Sequence, residues 1–393
     1  MKRIIRVYLF LLFISHFGIA IVFSTYVIFL QRHGLSLFEV NIVNIVYAIS
    51  VFLFEVPTGA VADLYGRKNS FLVSSVFMFL GCLLYGLFDS MTGFIIAEIL
   101  LAIGSTCASG SFEAWVVDEL EKLGYGNDLK SLMSKSASTI HIAIISGVLF
   151  GGLLADILGL NILWFLSALF NLITLLLSYF LMKETVMYKS ETKNTCLQIT
   201  KKGYKQIKAS KLLKAVIILD LILVFIIQAP NMQWQPLFSP LLGDSMFSLS
   251  LLFIALMVSA LIGSTLVGLS KKLGGKIRLL KMVILYGSLL VIFTALFQDL
   301  YIMIIVFLAH ELCRGLFVPI KFALIHENAE SKQRATVVSL FNMIRSLGGA
   351  VGLFVFGYLT VFFSIRTVWV IAGLSAFILL FFYYLWDKNK NTV

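Results

Sequence analysis

Charge is what this chain has least of. Only 13% of its 393 residues are Asp, Glu, Lys or Arg, while 60% are hydrophobic. A water-soluble protein of this length needs far more charge to cover its surface, so a soluble domain is excluded and a polytopic membrane protein is implied. The mean hydropathy, +0.98, agrees. Cysteine is scarce as well. Cys82, Cys107 and Cys313 lie in apolar segments and Cys196 in a basic one, none at a spacing that suits a disulfide or a metal site. No nucleophile motif and no phosphate loop is present, so neither an enzyme nor a cofactor is expected. No Asn-x-Ser/Thr sequon occurs, which favours a prokaryotic membrane. The few charges are also unbalanced, 31 basic against 20 acidic, for a net +11. In a soluble protein that surplus would suggest nucleic acid. Here the bases lie between apolar runs, as cytoplasmic loops require, so the partner is a lipid bilayer and no nucleic acid is expected.

A spanning helix takes about 20 apolar residues. Runs of that kind occupy residues 4–30, 37–62, 70–88, 94–121, 132–158 and 162–182. Six more occupy 212–234, 246–269, 277–297, 301–326, 335–363 and 368–386. The fold class is therefore an all-α polytopic membrane protein of twelve helices. Residues 1–182 form an N-terminal six-helix bundle, 183–211 a cytoplasmic central loop, and 212–393 a C-terminal six-helix bundle. The basic start, Lys2-Arg3 with Arg6, resembles the end of a signal peptide. The apolar run that follows is too long for a signal core, so it reads as the first span. Ser36 is the natural N-cap of the second helix. Of the 31 bases only Arg32 and Arg366 fall on outer segments, and Arg314, Lys321 and Arg345 fall within spans. This bias puts both termini in the cytoplasm, with the chain in the plasma membrane.

The halves repeat. Gly59, Asp63, Gly66 and Arg67 follow the second span, and Gly268, Lys272, Gly275 and Lys276 follow the eighth at the same spacing. The fifth and eleventh spans both carry a GxxxG pair, Gly147 with Gly151 and Gly348 with Gly352, which suits close helix packing. Spans 3, 6, 8, 9 and 12 have no ionisable residue in their interiors. A charge in the bilayer is costly and faces a cavity or a partner. The pattern predicts a cavity lined by spans 1, 4, 7 and 10 with 2, 5 and 11, ringed by 3, 6, 9 and 12.

These features resemble the major facilitator superfamily, over the whole chain. The signature loop of that family, G-x-x-x-D-x-x-G-R-K, is matched by Gly59, Asp63, Gly66, Arg67 and Lys68. The resemblance implies two pseudo-symmetric six-helix bundles and alternating access by rocking of the halves. It also implies that Asp63 engages the start of the eleventh helix near Arg334-Ala335-Thr336, where the helix dipole favours a carboxylate. Arg67 would then pair with Asp118, which makes Gly59, Asp63, Gly66, Arg67, Lys68 and Asp118 a conformational gate. The alternative is a solvated basic loop. Two departures stand out. Drug antiporters of the superfamily carry an arginine in the fourth span, where this chain has Glu98, and a Gly-Pro-rich fifth span, where Ser146–Gly152 lacks the proline.

The remaining candidates are ionisable or polar residues within spans. Glu55, Glu113 and Asp220 are candidates for proton coupling, or else structural partners of Lys135 or Arg67. Glu98 falls near the outer end, where solvation or pairing is expected. Glu311 and Arg314 share a helix face and can neutralise each other. Alternatively Arg314 and Arg345 hold an anionic substrate group, or Arg345 meets Asp220. His16, His141 and His310 are titratable or packing histidines. Gln228, Asn231 and Trp234 line an outer gate or substrate site, or a kinked helix end closed by Gln235-Pro236. The candidate substrate cavity thus comprises His16, His141, Gln228, Asn231, Trp234, Glu311, Arg314 and Arg345. The expected function is secondary transport of a small-molecule substrate by a monomer coupled to protons. The leading form is efflux of amphipathic, drug-like compounds. The rival is uptake or exchange of an anionic metabolite through Arg314 and Arg345.

Overall fold

The computed structural model describes residues 2–124, 129–183, 204–268, 275–330 and 334–389. Twelve segments are long and apolar enough to cross a membrane, and no strand occurs among the described residues. The spans are α1 (Lys2–Ala20), α2 (Leu37–Tyr65), α3 (Arg67–Leu87), α4 (Met91–Glu121), α5 (Leu129–Leu158) and α6 (Asn161–Leu181). The second six are α7 (Lys211–Leu242), α8 (Met246–Gly268), α9 (Lys276–Leu296), α10 (Leu300–Asn328), α11 (Arg334–Leu359) and α12 (Ile365–Asn389). Most of the central segment 183–211 lies outside the described residues, as do Cys196 and Lys272.

Local chemistry explains where helices begin. Ser36 caps α2 in a capping box: its hydroxyl accepts from Glu39 N at 3.3 Å, and the Glu39 carboxylate accepts from Ser36 N at 2.8 Å. Gly66 and Gly275, the repeated glycines, open α3 and α9 with φ of +94° and +103°. Both have ψ near the extended value, a region open essentially to glycine alone. The sequence repeat is therefore also a repeat of backbone conformation.

Three spans are interrupted where hydropathy alone predicts continuity. The first run does not stay helical to Leu30: α1 ends at Ala20, and a second helix, Tyr26–Arg32, follows a turn. Ser24 and Thr25 are buried in that turn, and the Ser24 hydroxyl lies 2.7 Å from that of Ser250. α4 breaks after Ala108, and Gly110, at φ +72°, starts its second segment, Ser111–Glu121. α7 breaks at Ile227 and resumes as Gln228–Phe238. Pro236 does not close α7, as the sequence suggests, but lies inside its second segment. It falls in the last turn, where its missing N–H removes a single ladder bond.

The described residues form two compact units. One holds the described residues up to 183 together with Phe238–Leu251, and the other holds 204–237 and the described residues from Leu252 on. Helix pairing is alike within each. In the first unit α1 packs on α5, α2 on α4, and α3 on α4 and α6. In the second, α7 packs on α11 and α9 on α10 and α12. There α8 also meets α10, with Ser259 donating to the Leu308 carbonyl at 2.6 Å. The GxxxG glycines sit at close helix approaches. A Cβ on Gly151 would lie 1.9 Å from the Ile21 carbonyl, and one on Gly147 2.6 Å from that of Phe17. In the second unit a Cβ on Gly352 would lie 2.5 Å from the Phe225 carbonyl. Equivalent glycines thus serve equivalent contacts.

At the far end of α5, Asp156 accepts from Met246 N at 2.7 Å, Phe247 N at 3.0 Å and the Ser245 hydroxyl at 2.9 Å. A carboxylate is favourable there because the first turn of α8 leaves its N–H groups unpaired and positive. Leu251, the last residue of that stretch, still belongs to the first unit, and Leu252 begins the second unit's share of the helix.

Candidate functional site

In the first unit the break in α4 has a chemical consequence. It brings Ser109 to Glu55, whose Oε1 accepts from the Ser109 hydroxyl at 3.3 Å. Ser109 and Gly110 also line a cavity of about 340 Å³ together with His16, Glu113, Asn171 and several serines. Glu113 is exposed, and His16 places Nδ1 2.9 Å from the Leu12 carbonyl. The wall is rich in neutral hydrogen-bonding groups: Ser15, Ser74, Ser75 and Ser105, with the Asn171 amide and Thr174. Residues of α3 and α6 thus line a cavity, and these two helices do more than ring the bundle.

A second cavity of the first unit, about 240 Å³, is lined by Phe23, Tyr26, Asn44, Tyr47, Glu98 and Trp164 among others. Of the two expectations for Glu98, solvation or pairing, the structure shows the second, with tyrosine hydroxyls as the partners. Glu98 is 5% exposed, and its Oε1 accepts from the hydroxyls of Tyr26 at 2.8 Å and Tyr85 at 2.5 Å. Asn44 donates in turn to the Tyr26 hydroxyl at 3.1 Å. Tyr85 stacks flat on Trp164, with centroids 4.0 Å apart. The short helix Tyr26–Arg32, which exists because the first run breaks, is what delivers Tyr26 to this cluster.

The signature loop is described in part. Arg67 Nε lies 4.0 Å from the Asp118 carboxylate. Lys68 donates to the Tyr179 carbonyl at 2.8 Å, with its ammonium 5.4 Å from that ring's centroid. Gly59 has open space around it. The side chains of Asp63, Arg334 and Ala335 lie outside the description, and so does the expected engagement of Asp63.

The second unit gathers charge. Asp220, 2% exposed, accepts from Lys321 at 3.1 Å and also from Arg345. Lys321 is itself 3% exposed. One carboxylate thus meets two cations, which leaves the cluster at +1. Glu311 takes Arg314 through Nε at 2.8 and 3.0 Å and again through Nη2. The pairings raised for the two deep arginines are therefore present. His310 Nδ1 lies 3.0 Å from the Gly287 carbonyl, while its Nε2 is buried without a hydrogen-bond partner among the described residues, 3.8 Å from Glu311. His310 and Arg314 line a narrow pocket with Pro230 and Ser288.

Other candidates remain apart. His141 faces its own helix, with Nδ1 2.6 Å from the Ala137 carbonyl. Gln228 donates to the Val224 carbonyl at 3.1 Å and packs against Gly349 and Gly352. Trp234 is buried and stacks on Phe253, and Asn231 is half-buried. Sequence reasoning assigned no role to Lys321 or to the Tyr26–Tyr85–Glu98 cluster. Both join residues far apart in the chain, and the one signal was the presence of an ionisable side chain inside a span.

Comparison with known proteins gives the same architecture. The chain is 24% identical over 187 residues to an uncharacterized MFS-type transporter, MJ1560, of Methanocaldococcus jannaschii, covering 46% of each. It spans about half the length of the first curated relatives it matches. Against multidrug resistance protein 2 of Bacillus subtilis it is 23% identical over 401 residues, covering 99% of this chain and 96% of that protein. In fold it resembles the nucleoside transporter NupG with a TM-score of 0.82, at 13% identity, over 98% of this chain and 99% of that one. The model of the Major Facilitator Superfamily matches residues 8–297 and 269–393. With twelve spanning helices paired alike in two units, that match fixes the assignment: this chain belongs to the Major Facilitator Superfamily.

Proposed function

We propose that the chain is a secondary transporter that moves small amphipathic organic compounds out of the cell by alternating access, in exchange for protons. The match along almost its whole length to a multidrug resistance protein carries this reading. Two cavities walled by aromatic rings, hydroxyls and a few carboxyls support it, because such walls bind varied molecules without demanding one hydrogen-bond pattern. Glu113 and Glu55, at and beside the larger cavity, are its candidate proton carriers in the first unit, and Asp220 is the candidate in the second. Residues Gly59, Asp63, Gly66, Arg67, Lys68 and Asp118 form the gate. The protein works as a monomer in the plasma membrane with both termini cytoplasmic.

The test is proton flux in energised everted vesicles. Adding a substrate such as ethidium should collapse part of the pH gradient and load the vesicles. If no compound in an amphipathic panel moves protons, the antiport reading fails. Asp63→Asn should slow cycling while leaving binding intact, and loss of binding would refute its gating role.

The surplus cation around Asp220 favours a second reading, uptake or exchange of an anionic metabolite through Arg314 and Arg345. Arg345→Ala separates the two. Export of a cationic dye survives that change, whereas anion uptake does not.

A further inference from the structure

The Glu98 cavity has an unusual charge balance. Its wall carries one carboxyl and no lysine, arginine or histidine among the described residues. Both tyrosine hydroxyls bond to Oε1, and Oε2 accepts no hydrogen bond from any described residue. The ionisable groups around Glu98 are Tyr26 and Tyr85, which bond to it, Tyr47 across the cavity, whose hydroxyl donates to Ser105 at 3.2 Å, and the buried Cys82 thiol, 3.3 Å from the Ser167 hydroxyl. His33, which caps the short helix that carries Tyr26, places Nε2 3.2 Å from Asp89 instead. A carboxylate held in a bilayer interior is matched by a cation or carries a proton. Rings of Phe23, Tyr26, Tyr47 and Trp164 complete the wall, and aromatic faces attract cations. At about 240 Å³ the space falls below the roughly 300–1,000 Å³ of drug-sized pockets, which suits a small occupant.

We propose that this cavity is a binding site for a small organic ammonium ion, held by Glu98 Oε2 and by the rings of Tyr26, Tyr47 and Trp164. Its place in a transport cycle rests on the efflux reading above, while binding itself does not. The two tyrosine hydroxyls hold the carboxyl group in place and leave one oxygen for the ligand. The rings exclude water and disperse the positive charge. Asn44 donates a further hydrogen bond to the Tyr26 hydroxyl. Neutral compounds of the same shape gain the apolar contacts only.

The test is isothermal titration of the purified full chain in detergent with benzyltrimethylammonium and with neopentylbenzene, its uncharged isostere. The cation should bind saturably and at least tenfold more tightly than the isostere. Glu98→Gln keeps a group that accepts from both tyrosines, and it should weaken the cation at least tenfold without affecting the isostere. Tyr47→Leu leaves the Glu98 hydrogen bonds in place and should weaken the cation several-fold. Equal binding of cation and isostere, or unchanged binding in Glu98→Gln, overturns the proposal. If Glu98→Gln does not elute as a folded protein, the charge preference of the wild-type chain decides alone. Vesicles that pump other substrates while benzyltrimethylammonium fails to bind would sink this inference and spare the transport reading. Tight cation binding without any gradient-driven transport would do the reverse.

Discussion

The pair of cations on Asp220 allows a prediction with a worked magnitude. Asp220 and Lys321 are 2% and 3% exposed, and 3.1 Å separates their charges. At an effective dielectric of about 20, two unit charges at that distance attract by roughly 5 kcal/mol. Arg345 adds a second attraction to the same carboxylate. Asp220→Asn removes the anion and leaves two cations facing each other. Breaking a buried pair on one side costs about 3–5 kcal/mol, because the orphaned charge stays buried. Replacing both partners by neutral groups is far milder for the same reason. Arg345 is 27% exposed in its side chain, whereas Lys321 is enclosed at 4%. Asp220→Asn should therefore lower the unfolding midpoint sharply in detergent, read by tryptophan fluorescence on heating. Adding Lys321→Met to that variant should recover more than half of the loss. A melting curve for Asp220→Asn within a degree of wild type would refute the reasoning. So would a double variant less stable than the single one.

Other outcomes follow from the glycines. Gly66→Ala and Gly275→Ala should each cost about 1–3 kcal/mol, since both place a side chain at a φ near +100°. Gly59→Ala, with nothing within 4 Å and no positive φ, should leave the melting temperature unchanged. Gly151→Val should abolish accumulation of folded protein in the membrane, measured by fluorescence size exclusion, because even a Cβ meets the Ile21 carbonyl at 1.9 Å. In the same assay Gly159→Ala should be mild by comparison, since its surroundings are open and only its φ of +86° resists the change.

Much of the architecture was legible in the sequence because a bilayer imposes it. The twelve spans follow from run length, and Ser36 from its position and its partner Glu39. The repeat at Gly66 and Gly275 followed from spacing, and its backbone basis proved to be shared. The breaks were less legible. Residues 21–25 read Ile-Val-Phe-Ser-Thr, so hydropathy continues across a turn in the backbone. Ser109-Gly110 hides in an apolar run for the same reason. The polar clusters were half legible. Glu311 and Arg314 are three residues apart on one helix, so their contact can be read from periodicity. Asp220 and Lys321 are 101 residues apart, and Tyr26 and Glu98 are 72 apart. Such contacts depend on which helix faces which, and burial of Glu98 depends on aromatic residues from four other segments. Pro236 misled because a proline in a final turn removes so little.

The shared conformation of Gly66 and Gly275 separates shape from charge. In one loop the fourth residue after the first glycine is Asp63, and at the same place in the other it is Lys272. The glycine hinge that starts the next helix is common to both. One backbone conformation is thus paired with opposite charges in the two halves. Exchange of the acid and the base between the two loops would rewrite the polarity of each while leaving its scaffold untouched.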